Sequence, residues 1–233
     1  GHQYSYRLVY GDMVYDPDSG EYSVEIVSNI IDVKANLQTP ELYKCYSTDN
    51  KTVNLSWSYI AQADGYRVYR YDNGKWSFLK NVKKRNVIST TDKNVQAGKT
   101  YQYRVRCFWT IGGTNYYGNY SSVVSATVPP AKVSDVKTQK RSSTYVTLGW
   151  SKISGSSGYR VYKYNTAEKK YESVATIAGG AEVSYKVTGL SGATTYKFKV
   201  KSYKKAEGET VWGEASDAHE ECTNPLKVKN LRL

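Results

Sequence analysis

Histidine, methionine, phenylalanine and cysteine are all scarce in this chain of 233 residues: two His, one Met, three Phe and three Cys. With only His2 and His219 available, no His-Glu-x-x-His zinc pattern exists, and both read as surface histidines. No Gly-x-Ser-x-Gly elbow, P-loop or Gly-x-Gly-x-x-Gly run appears either. The usual sequence grounds for a hydrolase, a nucleotide-dependent enzyme or a dinucleotide enzyme are therefore missing, and nothing calls for a cofactor. Cys45, Cys107 and Cys222 are odd in number and irregular in spacing, so they read as isolated thiols and not as a disulfide framework. No apolar run reaches the ~18 residues that a membrane-spanning helix requires. No window shows helical periodicity with caps at both ends.

What is abundant is tyrosine, with 24 residues, joined by five Trp. Tyr, Trp, Val and Thr suit a pleated, half-buried surface. The formal charge is +12, unevenly spread. Residues 1–39 carry a net −4, residues 40–130 a net +8, residues 131–225 a net +5 and the last eight +3. A basic surface attracts polyanions of any kind, and a solvated Lys-rich surface is the plainer reading.

The decisive feature is a repeat. Val53 to Arg70 reads VNLSWSYIAQADGYRVYR, and Val146 to Lys163 reads VTLGWSKISGSSGYRVYK. In each copy an apolar residue, a Leu and a Trp alternate, and a Gly-Tyr-Arg-Val-Tyr run begins eight residues after the Trp. The two tryptophans, Trp57 and Trp150, are 93 residues apart, about the length of one small sandwich domain.

Read in order, residues 40–130 show short strands with period-2 alternation. Tyr43 and Cys45 share the face of a first strand. Val53, Leu55 and Trp57 line a second, and Tyr66 and Val68 face inward on a third. Asp72-Asn73-Gly74 is a hairpin turn, leading to Trp76 and Leu79. Ile88 follows, then Tyr101, Tyr103, Val105 and Cys107 on a long strand. Ile111-Gly112-Gly113-Thr114 turns the chain into a last strand. Residues 131–225 repeat every element, with Tyr159 and Val161, Tyr171 and Val174, and Tyr196, Phe198 and Val200 in the matching places. Thr138, Ser202 and Thr127 stand opposite the three cysteines. Seven short strands per unit without a helix predict two-sheet sandwiches.

Both units resemble fibronectin type III domains, in the form common in secreted and surface proteins of Gram-positive bacteria. The resemblance rests on Trp57 and Trp150, on Gly-Tyr-x-Val-Tyr at 65–69 and 158–162, and on Tyr101 and Tyr196 at a strand corner. It implies an immunoglobulin-like seven-stranded fold, and a corner Tyr whose hydroxyl bonds back to nearby backbone. The Arg-Gly-Asp triplet of some members is absent. The divisions expected are 1–36, the last two strands of a preceding unit; 37–130 and 131–225, two complete units; and 226–233, a linker or the first strand of a further unit. The first assignment follows from Tyr4, Tyr6 and Leu8, which repeat the pattern of Tyr101, Tyr103 and Val105. An isolated hairpin is marginal, so residues 1–30 are expected to gain contacts from a neighbouring unit or by self-association.

Three clusters are candidates for function. Asp12, Asp16, Asp18 and Glu21 offer oxygen ligands for calcium, but their spacing is not that of an EF-hand and Asp-Pro-Asp-Ser-Gly is ordinary turn chemistry. Lys83-Lys84-Arg85 reads as a solvated loop. The third comes from strand alternation. If Tyr66 and Tyr101 face the core, then Arg67, Tyr69 and Tyr71 face outward beside Arg104, Arg106 and Phe108. The second unit repeats the arrangement with Arg160, Tyr162 and Tyr164 beside Lys197, Lys199, Lys201 and Tyr203. Such a face either stabilises itself through cation–π and cross-strand pairs or stacks on sugar rings and pairs with acidic groups.

The reading is a non-catalytic, extracellular or cell-surface spacer and adhesion module. Its alternatives are accessory domains of a carbohydrate-active enzyme, or a binder of anionic polysaccharide or cell-wall polymer; another protein is a further candidate partner. No groove-reading element or aromatic RNA-binding signature supports a nucleic-acid role. Each core Trp contributes about 4–6 kcal/mol as an upper estimate from the area it buries. Trp57→Ala or Trp150→Ala is therefore expected to unfold its own unit and spare the other. A melt that keeps both transitions after either change would show this register to be wrong.

Overall fold

The computed structural model describes residues 3–16, 18–19, 21–34 and 38–227, with side chains at 18–19 and 38–227. Strands and turns make up all the regular structure among these residues. β1 (Gln3–Asp16) and β2 (Glu21–Lys34) form an antiparallel ribbon, from Gln3 opposite Lys34 to Asp16 opposite Glu21. The side chains of Tyr4, Tyr6 and Leu8, and the carboxylates of Asp12, Asp16 and Glu21, lie outside the described residues. So does His2.

Eight strands build the first sandwich: β3 (Leu42–Tyr46), β4 (Val53–Trp57), β5 (Gly65–Asp72), β6 (Lys75–Val82), β7 (Ser89–Asp92), β8 (Thr100–Ile111), β9 (Thr114–Tyr117) and β10 (Val124–Thr127). One sheet runs β3-β4-β7; the other runs β10-β8-β5-β6, with β9 also on β8. The second sandwich repeats this with β11 (Lys137–Arg141), β12 (Tyr145–Gly149), β13 (Gly158–Asn165), β14 (Lys170–Ala178), β15 (Ser184–Thr188), β16 (Thr195–Ala206), β17 (Glu209–Ala215) and β18 (His219–Cys222). Its sheets are β11-β12-β15 and β14-β13-β16-β17, with β18 on β16.

The topology is the expected seven-stranded one, with the last strand of each unit broken in two. Ser121 sits at the first break. Its N–H donates to Val105 O (2.7 Å), and its hydroxyl accepts from Val105 N–H (3.0 Å) and donates to Ser122 O. Ser216 repeats these contacts with Val200 and Asp217. A side-chain hydroxyl thus satisfies buried backbone groups where the ladder is interrupted.

Each core is centred on a Trp–Tyr pair. Trp57 and Tyr66 have ring centroids 5.4 Å apart, and Trp150 and Tyr159 repeat that distance. Tyr66 accepts from Ile60 N–H (2.8 Å) and donates to Arg85 O (3.1 Å). Tyr159 does the same with Ile153 N–H and Gly180 O. A phenylalanine here would leave the buried N–H of Ile60 or Ile153 without its partner, at a cost of about 1–3 kcal/mol. Neither indole N–H has a partner among the described residues. The apolar area each ring buries outweighs that one orphaned donor. The corner tyrosines also hold: Tyr101 accepts from Gln96 N–H (3.0 Å) and Tyr196 from Ser191 N–H (2.8 Å).

Three side chains differ from the expected alternation. Tyr43 is 54% exposed while Leu42 is buried and Cys45 packs on the core. A bulge between Leu42 and Lys44 shifts the register, so Leu42 replaces Tyr43 as the partner of Cys45 on the inner face. Phe108 and Tyr203, expected outward with the arginines and lysines, are buried at 6% and 3% exposure. Each lies across the glycine that opens the repeated run: Gly65 is opposite Phe108, and Gly158 opposite Tyr203. A Cβ on Gly65 would stand 2.2 Å from Val82 O and 2.8 Å from the Phe108 ring. On Gly158 it would stand 2.2 Å from Ile177 O and 2.5 Å from the Tyr203 hydroxyl. The glycines make room for a covering aromatic.

The two cores differ in one polar cluster. In the first, Arg70 Nη1 bonds the buried Asp92 carboxylate (2.9 Å) and the Tyr103 hydroxyl donates to the same oxygen (3.0 Å). Asn94 N–H caps the other oxygen, and Arg70 also reaches Asn94 O. The second unit has Lys163, Val187 and Phe198 at these places, so hydroxyl, carboxylate and guanidinium change together. Asp92→Val strands Arg70 and is expected to lower the stability of the first unit by about 3–5 kcal/mol. Arg70→Lys/Asp92→Val/Tyr103→Phe, the second unit's set, is expected to recover most of the loss in urea unfolding.

The three thiols are free: Cys107 is buried, Cys45 partly so and Cys222 exposed. Cys107 Sγ donates to Gln38 O, and Ser202 Oγ makes the equivalent bond to Ala131 O. Burial, then the Asp92 charge, pushes the Cys45 thiol up to about 12. Burial likewise raises the phenols of Tyr66 and Tyr103. These groups keep their protons in the folded state at pH values where the unfolded chain has released them. Stability is therefore complete below the ordinary thiol value of 9.0 and falls as pH rises towards 12. The first unit's melting temperature should drop over that range, and Cys45→Thr/Tyr103→Phe should flatten the drop; a flat profile in the parent would refute this.

Candidate functional site

The face outside the β10-β8-β5-β6 sheet is dictated by the core beneath it. With Tyr66, Val68, Tyr101, Tyr103 and Val105 buried, period 2 turns Arg67, Tyr69, Arg104 and Arg106 to the other side. β5 and β8 pair directly, with Arg67 opposite Arg106, Tyr69 opposite Arg104 and Tyr71 opposite Gln102.

These side chains form an interleaved stack. Arg67 lies over Phe78 (4.5 Å) and Tyr117 (5.4 Å), and its Nη1 donates to the Tyr117 hydroxyl (2.7 Å). Arg106 lies over Tyr117 (4.0 Å) and Tyr120 (4.7 Å), and its Nη2 donates to the Tyr69 hydroxyl (2.7 Å). Arg104 lies over Tyr120 (3.7 Å) and Trp76 (4.2 Å). Tyr69 meets Tyr120 and Phe78 edge-on, and Tyr71 packs on Trp76. Burial and the hydrogen bond to Tyr120 raise the Tyr69 phenol pKa, with Arg106 pulling the other way. Among the described residues no carboxylate lies within 4 Å of Arg67, Arg104 or Arg106, whereas Arg70 on the inner side pairs with Asp72 and Asp92. The Nε atoms of all three outer arginines are enclosed without a hydrogen-bond partner.

Four members of the stack lie outside the alternation of β5 and β8 and were missed from sequence: Trp76, Phe78, Tyr117 and Tyr120. Trp76 and Phe78 were within reach, being two apart on β6. A bulge between Val68 and Tyr69 sets their alignment with β5. Tyr117 and Tyr120 flank the break in the last strand, where periodicity fails.

The second unit's face is related but weaker. Arg160 lies over Trp212 (4.3 Å) and donates through Nε to Thr176. Lys199 sits over Tyr171 (4.8 Å), Lys201 stands 6.0 Å from Trp212, and Tyr164 packs on Tyr171. Lys197 is exposed and paired with Glu220 (2.7 Å). Tyr162 stands opposite Lys199. Tyr203 and Phe108 are the covering rings described above and line neither face.

Residues 130–218 match the family model of the fibronectin type III domain. Among solved structures, a two-domain fibronectin type III segment of chicken tenascin superposes with a TM-score of 0.52 at 15% identity, covering 80% of this chain and 100% of that one. The FN1–FN3 domains of chicken CNTN1 align over 93% of this chain and 77% of that one, at 17% identity and a TM-score of 0.39. The tenascin likeness and the family match, with the strand order above, make the architecture two tandem fibronectin type III-like sandwiches. Fibronectin type III domains are typically non-catalytic modules of interaction and spacing, and typically extracellular. Among the described residues no group of three His, Cys, Asp or Glu side chains is placed to hold a metal ion, and no helix is long and apolar enough to cross a membrane.

Proposed function

We propose that this chain is a non-catalytic spacer and interaction segment of a secreted or surface protein, of the kind found in Gram-positive bacteria. The observation that carries the reading is the junction between the two sandwiches. Pro129 and Pro130 are both buried there, and Gly98 N–H donates to Val128 O and Pro129 O. Gly98 (φ +74°) and Gly155 (φ +73°) bring their backbones together: a Cβ on Gly155 would stand 3.1 Å from Gly98 Cα. On the other flank a crevice of about 390 Å³ separates Cys45–Ser47 and Ser125–Thr127 from the hairpin at residues 206–211. A Cβ on Gly213 would stand 2.6 Å from Pro130 O, so the linker is held from that side too.

Proline fixes φ and offers no N–H. Two such residues between flanking contacts limit bending, which suits a semi-rigid spacer. Domains joined by small interfaces otherwise move freely. Spin labels on Lys83→Cys and Glu168→Cys, in a chain carrying Cys45→Thr, Cys107→Ser and Cys222→Thr, test this. A narrow distance distribution is expected, broadened by Gly155→Val. A parent distribution as broad as the variant's would overturn the spacer reading.

A further inference from the structure

The outer faces of the two sandwiches share a pattern but differ in charge balance. In the second, Glu220 pairs with Lys197, and Asp217 pairs with Lys132. Lys132 first, and Lys199 after it, hold the Asp217 carboxyl low. The first sandwich has Ser122 and Ser125 at the places of Asp217 and Glu220. Ser125 stands opposite Gln102, as Glu220 stands opposite Lys197. The acidic groups that balance one face are therefore serines beside the other, and the cations there are arginines.

Arginine changes what such a face can do. A guanidinium stacks on a ring through its flat side and keeps its in-plane N–H groups for a bidentate acid. Arg67 and Arg106 each spend one N–H on a tyrosine hydroxyl, and the surrounding rings fix where the remaining donors point. A carboxylate or sulfate meets donors already ordered, so less side-chain entropy is lost on binding. Arg104 and Arg106 are two residues apart on one strand, roughly 6.6–7 Å, and Arg67 lies one strand over, about 4.8 Å away. That is a row suited to repeated charges along an extended chain.

Phe78 is 49% exposed although Arg67 lies over its ring, and what stays exposed is an apolar surface for the C–H face of a sugar. The other rings are covered by guanidinium groups or by each other, which leaves little platform for the successive bases of a single-stranded nucleic acid. We propose that the Arg67, Arg104 and Arg106 face of the first sandwich binds an acidic polysaccharide, its carboxylate or sulfate groups pairing with the guanidinium edges. This rests on reading the chain as an interaction segment, and assigns that interaction to one unit and one ligand class.

The test is affinity electrophoresis of the whole chain in polygalacturonate (carboxylated), heparin (sulfated), uncharged dextran and poly(dT). Retention is expected in one or both acidic polysaccharides at about 50 mM salt, reduced roughly tenfold near 300 mM, and absent in dextran. Arg104→Gln/Arg106→Gln should weaken it roughly tenfold or more. Ser122→Asp/Ser125→Glu should do the same while touching no arginine and leaving the melting temperature unchanged or higher, which separates lost binding from lost folding. Lys199→Gln/Lys201→Gln should leave retention within about twofold, because the site belongs to the first unit. No retention in either acidic polysaccharide, stronger retention in poly(dT), indifference to Ser122→Asp/Ser125→Glu, or equal loss from the second-unit variant would each overturn the proposal. The interdomain distance distribution is read on the chain without these substitutions, so a failure here leaves the spacer reading standing.

Discussion

The packing of one indole on one phenol underlies the rest of each sandwich. Trp57 on Tyr66, and Trp150 on Tyr159, join the two sheets across the core. The Tyr hydroxyl then bonds backbone on two loops, so the same side chain anchors packing and loop path. Once that tyrosine points inward, strand geometry leaves no choice for its neighbours: Arg67 and Tyr69 must stand on the far side of the sheet. The arginine and aromatic face is the obligatory reverse of the core. The glycine before the tyrosine has a related cause, because an aromatic from the adjacent strand lies where its side chain would be.

The two units show how one scaffold carries different chemistry. The first holds a buried Arg70–Asp92–Tyr103 cluster where the second has Lys163, Val187 and Phe198. A buried charge is tolerated only with its partners, which is why the three positions differ as a set. On the outer faces the same coupling runs the other way. Where the cations are lysines, Glu220 and Asp217 stand nearby; where they are arginines, aromatic rings take the place of counter-ions. Cation–π contacts of about 0.5–1 kcal/mol each when exposed, and nearer 2 when desolvated, suffice to hold such a stack. They leave its net charge unbalanced.

Much of this was legible in the residues. The repeat, the alternation around Trp57 and Trp150 and the corner tyrosines pointed to the fold, and the pairing of β5 with β8 placed Arg67, Tyr69, Arg104 and Arg106 on one face. The misreadings have local causes. Tyr43 faces out because a bulge breaks period 2 between Leu42 and Lys44. Phe108 and Tyr203 have outward parity yet are buried, because each fills the space over a glycine on the next strand. Tyr117 and Tyr120 joined the stack unseen, since they flank an interruption with no period to follow.

By itself the sequence determined what depends on short-range regularity: strands, turns, inner and outer faces, and the identity of the two units. Those follow from alternation and from backbone preferences, which act between neighbours along the chain. Tertiary structure alone decided which distant side chains meet. The aromatic rings between the arginines and the Gly98–Gly155 contact at the junction join positions far apart in the chain. Such contacts are set by bulges, strand breaks and the packing of one element on another.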